Sequence, residues 1–377
     1  MMVNKDVIKL NEYEEYVYLN IKHNHNEDSE MLTRYLNKVA DGEDLSAEEA
    51  GNAMRAIMEG KPDRIQTAAF LTAMRMKGET EEEIAAFATA MRDMALSINP
   101  RVEKKVDVCG TGGDKVKTFN ISTTAAFITA CVVPVAKHGN RSVTSKCGSA
   151  DVLEELGVNL TLPPRKIEEC IEKIGIGFMF APVHHQAMKN VVEVRQKLGL
   201  RTVFNLLGPL TNPANATHQL IGVYDAGMTE KIAKVLRILG LRKALVVHGE
   251  PGVDEVSISG KTKVSQLEGG EIETYYIRPD DFGLPVASPG EIAGGTREAS
   301  AKILRDILSG REEGAKRNVV LLNAASAIFA AEESDSLSDA LEIASEILES
   351  GKAEAKLHEF INFTALHNAI QGDDISG

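Results

Sequence analysis

"VDVCGTGGDKVKTFNIST", Val106 to Thr123, joins a short β-branched apolar run to a glycine-rich turn and then to Asn120, Ser122 and Thr123, residues of the kind that open helices. A strand that ends in glycine and turns into a helix is the repeating unit of an α/β sheet. "VPVAKHG" (133–139) and "KALVVHG" (243–249) have the same shape, and "GEIETYYIRPDDFGL" (270–284) reads as a further strand and turn. Helical segments separate these runs at Thr123–Cys131, Ala150–Leu156 and Thr229–Leu239, and "VVLLNAASAIFAAE" and "LSDALEIASEILES" read as late helices. The alternation predicts an α/β fold with a mostly parallel central sheet flanked by helices. Ligands of such sheets bind at the carboxyl ends of the strands.

Upstream of Pro100 the texture is helical. In "MLTRYLNKVADGEDLSAEEAGNAMRAIMEG" apolar residues recur at spacings of three and four, with breaks at Gly42 and Gly60. Ser46 with Glu49, and Thr80 with Glu83, have capping-box spacing, and Pro62 can open the helix between them. The expected organisation is an extension over 1–30, a small all-α domain over 31–99 and an α/β domain over 100–377. In the extension, "KHNHNEDSE" carries His23 and His25 and reads as a solvated tail.

The 377 residues are 43% hydrophobic and 26% charged, with a net charge of -13. That acidity argues against a nucleic-acid or anionic-membrane surface but leaves room for a local basic pocket. The four cysteines form no CxxC pair and read as reduced thiols of a cytoplasmic protein. The chain has no apolar run of the roughly 18 residues that a membrane span needs, and the first thirty residues lack a signal peptide's apolar core.

Four loops carry candidate chemistry. Gly110, Gly112 and Gly113 let backbone N–H groups approach an anion ahead of a helix start; a tight strand-to-helix turn would use the same glycines. "KHGNRSVTSKCGSAD" (137–151) concentrates cations and hydroxyls at a strand end, where Lys137 and Arg141 would neutralise a phosphate and Ser142, Thr144, Ser145 and Ser149 would donate to it. Adjacent Asp254 and Glu255 in "HGEPGVDEVSISG" suit Mg2+, which favours oxygen ligands and keeps a substrate phosphate. "EVRQKLGLRTVFNLLGPLTNPA" carries Arg195, able to hold a carboxylate bidentately, and a Gly-Pro turn at Gly208 and Pro209. No nucleophile motif is present. On a helix the adjacent His184 and His185 would point about 100° apart, which reads as a structural or rim pair.

Together, "GTGGD", "TFNIST", "KHGNRSVTSKCGSADVLEELGV", "RTVFNLLGPLTNPA" and "DEVSISG" resemble, in content and order, the anthranilate phosphoribosyltransferases. The resemblance runs from about Met31 to the C-terminus and implies transfer of the phosphoribosyl group of phosphoribosyl pyrophosphate (PRPP) to anthranilate, in tryptophan biosynthesis. By the same resemblance Gly110, Gly113, Asp114, Thr118, Asn120, Ile121, Ser122 and Thr123 line the PRPP site, as do Lys137, His138, Gly139, Asn140, Arg141, Ser142, Val143, Thr144, Ser145 and Ser149. It gives anthranilate to Gly110, His138, Asn140, Arg195, Gly208 and Pro209, and magnesium, two ions per subunit, to Ser122, Asp254 and Glu255. It further implies a homodimer through the helical domain, and the return of part of 190–212 to that domain, with the active site in the hinge cleft. Lys115 stands where Gly is more usual in the family, and Thr144 and Cys147 where Ser is common. Three other readings stay open on sequence: a pyrimidine nucleoside phosphorylase, a silent relative that binds nucleic acid, and a phosphoribosyltransferase with another aromatic acceptor.

Overall fold

The computed structural model describes residues 28–113, 116–142 and 147–367. His23, His25, Asp114, Lys115, Val143, Thr144 and Ser145 lie outside them. The chain divides into two units, one running to Met94 and taking in Ala187–Phe204, the other holding Ala95–Gln186 and everything from Asn205. The change of unit thus falls ahead of Pro100.

The helical unit contains helices over 28–40, Ala47–Glu59, Arg64–Lys77, Glu81–Asp93 and Lys189–Leu198. Capping boxes start three of them, at Ser46 with Glu49, Asp63 with Gln66 and Thr80 with Glu83. Asp63 is the cap of the third helix, so Pro62 stands just outside it. Buried Glu83 does more than cap: it also accepts from Leu45 N–H at 2.8 Å and pairs with Lys77 at 2.9 Å. The returning helix is tied in by Asn190, which donates to Met58 O at 2.6 Å, and by the Arg64–Glu193 ion pair at 2.6 Å.

The second unit is built on a seven-stranded sheet of order β3-β2-β1-β4-β5-β6-β7. Its strands are β1 (Val106–Gly110), β2 (Val135–Gly139), β3 (Ile176–Phe180), β4 (His218–Gly222), β5 (Lys243–Gly249), β6 (Thr262–Glu268) and β7 (Glu271–Ile277). Neighbours from β3 to β5 are parallel, and β6 and β7 add an antiparallel edge. The mostly parallel expectation holds. The β6–β7 hairpin turns on Gly269 and Gly270, both at positive φ (57° and 84°), the two-residue turn that matches strand twist.

Strand periodicity divides the core. Val135 belongs to a large cluster with Val106, Leu220 and Leu245; its neighbour Ala136 belongs to a smaller one with Ile167, Ile171 and Met179. Helix Ala315–Ala330 packs on β4 and β5, Thr229–Ile238 on β5 and β6, Pro164–Ile174 on β3, and Ile121–Thr129 on β1. The last begins at Ile121, two residues earlier than its sequence pattern suggests, directly after the N-cap Asn120. β3, β4 and β6 are missing from the sequence reading. "IGFMF" shows no alternation, since both its faces are covered, and a five-residue apolar run cannot be told from a helix segment by period.

Candidate active site

Strands β3, β2, β1 and β4 end level, and β5 runs two residues further, to Gly249. Gly110 pairs with Gly222, Gly222 with Val247, and Gly139 with Phe180. The segment after β5, carrying Asp254 and Glu255, folds back over this ledge. Gly112 N–H donates to Asp254 Oδ2 at 2.7 Å, and Ser122 N–H donates to Glu255 Oε1 at 3.2 Å. Glycine at the strand ends makes the approach possible. A Cβ on Gly110 would stand 2.3 Å from Asp254 Oδ2, and one on Gly222 only 1.6 Å from Asp254 O. Gly112 and Gly113, at φ 67° and 76°, turn the chain away from β1.

Asn120 occupies the N-cap of helix Ile121–Thr129 but makes no side-chain cap bond. Glu255 meets the helix start instead, a carboxylate where the helix dipole favours negative charge. Asn120 Nδ2 reaches across to Cys147 O at 3.2 Å, and its buried Oδ1 has no hydrogen-bond partner among the described residues. Ile121 and Thr123 are buried in the helix, while Ser122 Oγ accepts from Lys137 Nζ at 3.4 Å. Thr118 is held by a bridge to Ala293.

Asp254 is buried, and burial raises its pKa above the ordinary carboxylate value. A divalent cation would offset that penalty. Among the described residues no group of three or more His, Cys, Asp or Glu forms a metal cage. Two adjacent carboxylates and a serine hydroxyl fit Mg2+ that completes its shell with water and substrate phosphate; they do not fit a structural metal.

Lys137 is buried at the end of β2. Its Nζ also donates to Val108 O, and burial lowers its pKa while the charges of Asp107 and Glu255 act the other way. Arg141, expected to neutralise phosphate, is held elsewhere. Its guanidinium makes two 2.8 Å bonds to Glu154, another of 3.1 Å to Asp151, and stacks on Phe180. Ser149 Oγ donates to Asn140 O at 3.2 Å, and Asn140 Oδ1 accepts from Arg141 N–H at 2.7 Å, so these polar groups shape the loop itself. Gly139 is required because a Cβ would stand 2.3 Å from Ser149 Oγ.

Asp151 closes the loop. Its Oδ2 accepts from Ser142 N–H at 3.0 Å and Gly148 N–H at 2.8 Å, and its Oδ1 faces Arg141 and Arg297. In the sequence Asp151 is not among the candidate ligands of this loop. Its signal was available: an acid at the third position of a helix whose cap is glycine.

His138 is buried, with Nδ1 3.2 Å from Gly208 O, and burial holds its pKa well below the usual imidazole range. The neutral ring therefore donates from Nδ1 and leaves Nε2 as a buried acceptor with no partner among the described residues. The His185 ring lies 5.0 Å from it, with a pKa lowered to about 4 by burial. The rim reading of the histidine pair is corrected here. Both are buried, and the helix Ala181–His184 stops before His185, whose φ of -111° turns the ring out of helical register. Gly208 and Pro209 are also reassigned, from a turn to the last turn of helix Phe204–Leu210. The carbonyls of that last turn find donors outside the helix: Gly208 O takes Thr211 N–H and Pro209 O takes Gln219 Nε2 at 2.7 Å.

Arg195 lies in the helical unit with its guanidinium 5.4 Å over the Phe204 ring. No acidic side chain pairs with it among the described residues. Of the cysteines in the loops, Cys109 is buried with its thiol pKa pushed far up, hence inert, and Cys147 is half-buried with its pKa also raised.

Comparison with known proteins agrees with this arrangement. Residues 33–95 match the glycosyl transferase family, helical bundle domain, and residues 102–354 the glycosyl transferase family, a/b domain. The anthranilate phosphoribosyltransferase of Acetivibrio thermocellus is 48% identical over 92% of this chain and 100% of its own length. The crystal structure of anthranilate phosphoribosyltransferase from Thermus thermophilus superposes with a TM-score of 0.84 at 42% identity, covering 88% of this chain and 99% of that one. The Saccharomyces cerevisiae enzyme, in complex with PRPP and Mg, superposes with a TM-score of 0.82 at 27% identity over 89% of this chain and 98% of that one. With both domains and nearly the full length of its relatives matched, the chain belongs to the anthranilate phosphoribosyltransferases.

Proposed function

We propose that the chain transfers the phosphoribosyl group of PRPP to anthranilate chiefly by neutralising the departing pyrophosphate, with little acid–base chemistry. The reaction is a step of tryptophan biosynthesis. The C1–O bond to pyrophosphate breaks, a bond forms from C1 to the anthranilate nitrogen, and that nitrogen loses one proton. An aniline nitrogen is neutral and nucleophilic at pH 7, so it needs no strong base. The observation that carries the reading is the convergence of Asp254, Glu255, Ser122 and buried Lys137 on the glycine turn after β1.

Asp254, Glu255 and Ser122 are the residues that would hold Mg2+. Bound there, it would supply positive charge against the leaving pyrophosphate. Lys137 adds a fixed cation beneath the same turn, and Gly110, Gly113 and Asn120 to Thr123 form the PRPP cradle, with the loop from Gly139 to Ser149 as its other wall. In the α/β unit His138 Nε2 is poised to accept an amine hydrogen of anthranilate; in the helical unit Arg195, which pairs with no acidic side chain among the described residues, is the residue we assign to the carboxylate. Asn140, Gly208 and Pro209 are assigned to anthranilate as well. The four cysteines stay as thiols, as a cytoplasmic location would keep them.

The test is a coupled assay of phosphoribosylanthranilate formation and pyrophosphate release. Turnover that needs PRPP, Mg2+ and anthranilate together is expected. Turnover of a pyrimidine nucleoside with inorganic phosphate in its place would overturn the reading. A homodimer through the helical unit is part of the proposal, supported by Ile65 and Met76, both 82% exposed on helix Arg64–Lys77. Light scattering on the full chain should give twice the 40.8 kDa chain mass, and Ile65→Asp with Met76→Asp should give the monomer. A monomeric parent would remove this part.

A further inference from the structure

Helix Ala315–Ala330 is buried almost continuously from Val319 to Ile328, and the polar interruptions there are Asn323 and Ser326. Ser326 is satisfied locally, donating to Leu322 O within its own helix at 2.8 Å. Asn323 reaches outward. Its Oδ1 accepts from Val256 N–H at 2.9 Å, and its Nδ2 donates to Val256 O at 2.9 Å and to Val319 O at 2.8 Å. The amide orientation follows from its partners, since one is a donor and two are acceptors. A fully buried amide is costly unless satisfied, and an apolar residue would pack this helix equally well. Local helix chemistry therefore does not explain it.

Val256 directly follows Glu255. Gripping both its N–H and its C=O fixes the peptide planes on either side of it. Beyond Val256 the segment has other ties: Ser257 N–H donates to Thr262 Oγ1 at 2.9 Å, Ser259 N–H to Ser257 Oγ at 2.9 Å, and Ala287 N–H to Ile258 O at 3.0 Å. Asn323 is the tie that anchors the acidic end to the helix layer. We propose that Asn323 is the positioning residue for the acidic pair: its amide holds the backbone beside Val256 so that Asp254 reaches the ends of β1 and β4, and Glu255 the start of helix Ile121–Thr129, in the geometry that binds Mg2+ with PRPP. This rests on the metal role proposed above for the two carboxylates.

The experiment compares the full chain with Asn323→Ala and with Ser326→Ala, a buried neighbour on the same helix. Two quantities are read: the extra rise in Tm that Mg2+ adds to PRPP alone, and the Mg2+ concentration for half-maximal turnover. Displacing an outer-shell partner of a metal ligand typically weakens metal affinity about 10- to 100-fold. Asn323→Ala should raise the half-maximal Mg2+ concentration by that factor and remove most of the Mg2+-dependent Tm rise. Ser326→Ala should lower Tm and leave both responses unchanged. In a Glu255→Gln background, replacing Asn323 should cost less than it does in the parent, because part of its effect runs through Glu255. If Asn323→Ala does not accumulate folded, Asn323→Ser is read in the same way. Wild-type Mg2+ responses in a folded Asn323 variant, or full additivity with Glu255→Gln, would overturn the inference alone. A parent protein whose Tm and turnover ignore Mg2+ would overturn the metal reading beneath it as well.

Discussion

Asp254→Asn combined with Glu255→Gln is expected to lower turnover by at least about 10²–10³-fold, the usual cost of deleting one electrostatic contact to a developing charge, while the fold persists. The amide replacements are isosteric, and their oxygens can still accept from Gly112 and Ser122 N–H groups. The apo protein should not lose stability at Asp254, because burial already disfavours its charged form. The sign at neutral pH is therefore a neutral or slightly raised apo Tm, together with loss of the Mg2+-dependent Tm rise in the presence of PRPP. Steady-state kinetics at saturating substrate and a melt with and without Mg2+ check both halves. Parent-level turnover in the double variant would take the acidic pair out of the chemistry.

Gly222→Ala is the second large effect. The added Cβ would stand 1.6 Å from Asp254 O and 2.2 Å from its carbonyl carbon, and real Cβ contacts essentially never fall under 3.0 Å. Both atoms are backbone, so no rotamer change relieves the clash. The segment carrying Asp254 and Glu255 must lift off the end of β4. A misplacement of about 1 Å at a reacting site can cost roughly 10²-fold in rate, so kcat should fall by at least that amount, with the Mg2+ dependence weakened in parallel. Gly290→Ala is the control: φ there is not positive, and the nearest atom to an added Cβ is Ser288 Oγ at 3.9 Å. It should behave as the parent. Normal kinetics in folded Gly222→Ala would show that the 254–255 segment has freedom to move, contrary to its packing.

The glycines after β1 looked like an anion nest in sequence, and part of that nest faces the protein's own carboxylates. Arg141 looked like a phosphate ligand because it sits among hydroxyls in a basic loop; in the fold Glu154, one helix away, takes its guanidinium bidentately. Charge in a loop states what a residue can bind, and the fold adds which of the protein's own groups compete for it.

By itself the sequence determined whatever depends on neighbours within a few residues. The capping boxes at Ser46 and Thr80, the strand-turn-helix texture at Val106 to Thr123, and the ordered loop motifs that carry the family resemblance are all local patterns. Their physics is the i to i+4 geometry of helices and the φ freedom of glycine. The tertiary structure alone decided which loops meet. Asp254 reaches Gly112 across 142 residues, and Asn323 reaches Val256 across 67. Gly222 is needed only because Asp254 lies on it. Such contacts leave no periodic trace, because the entropy of closing a long loop is repaid by the sheet that brings strand ends level, and that sheet forms from the whole chain at once.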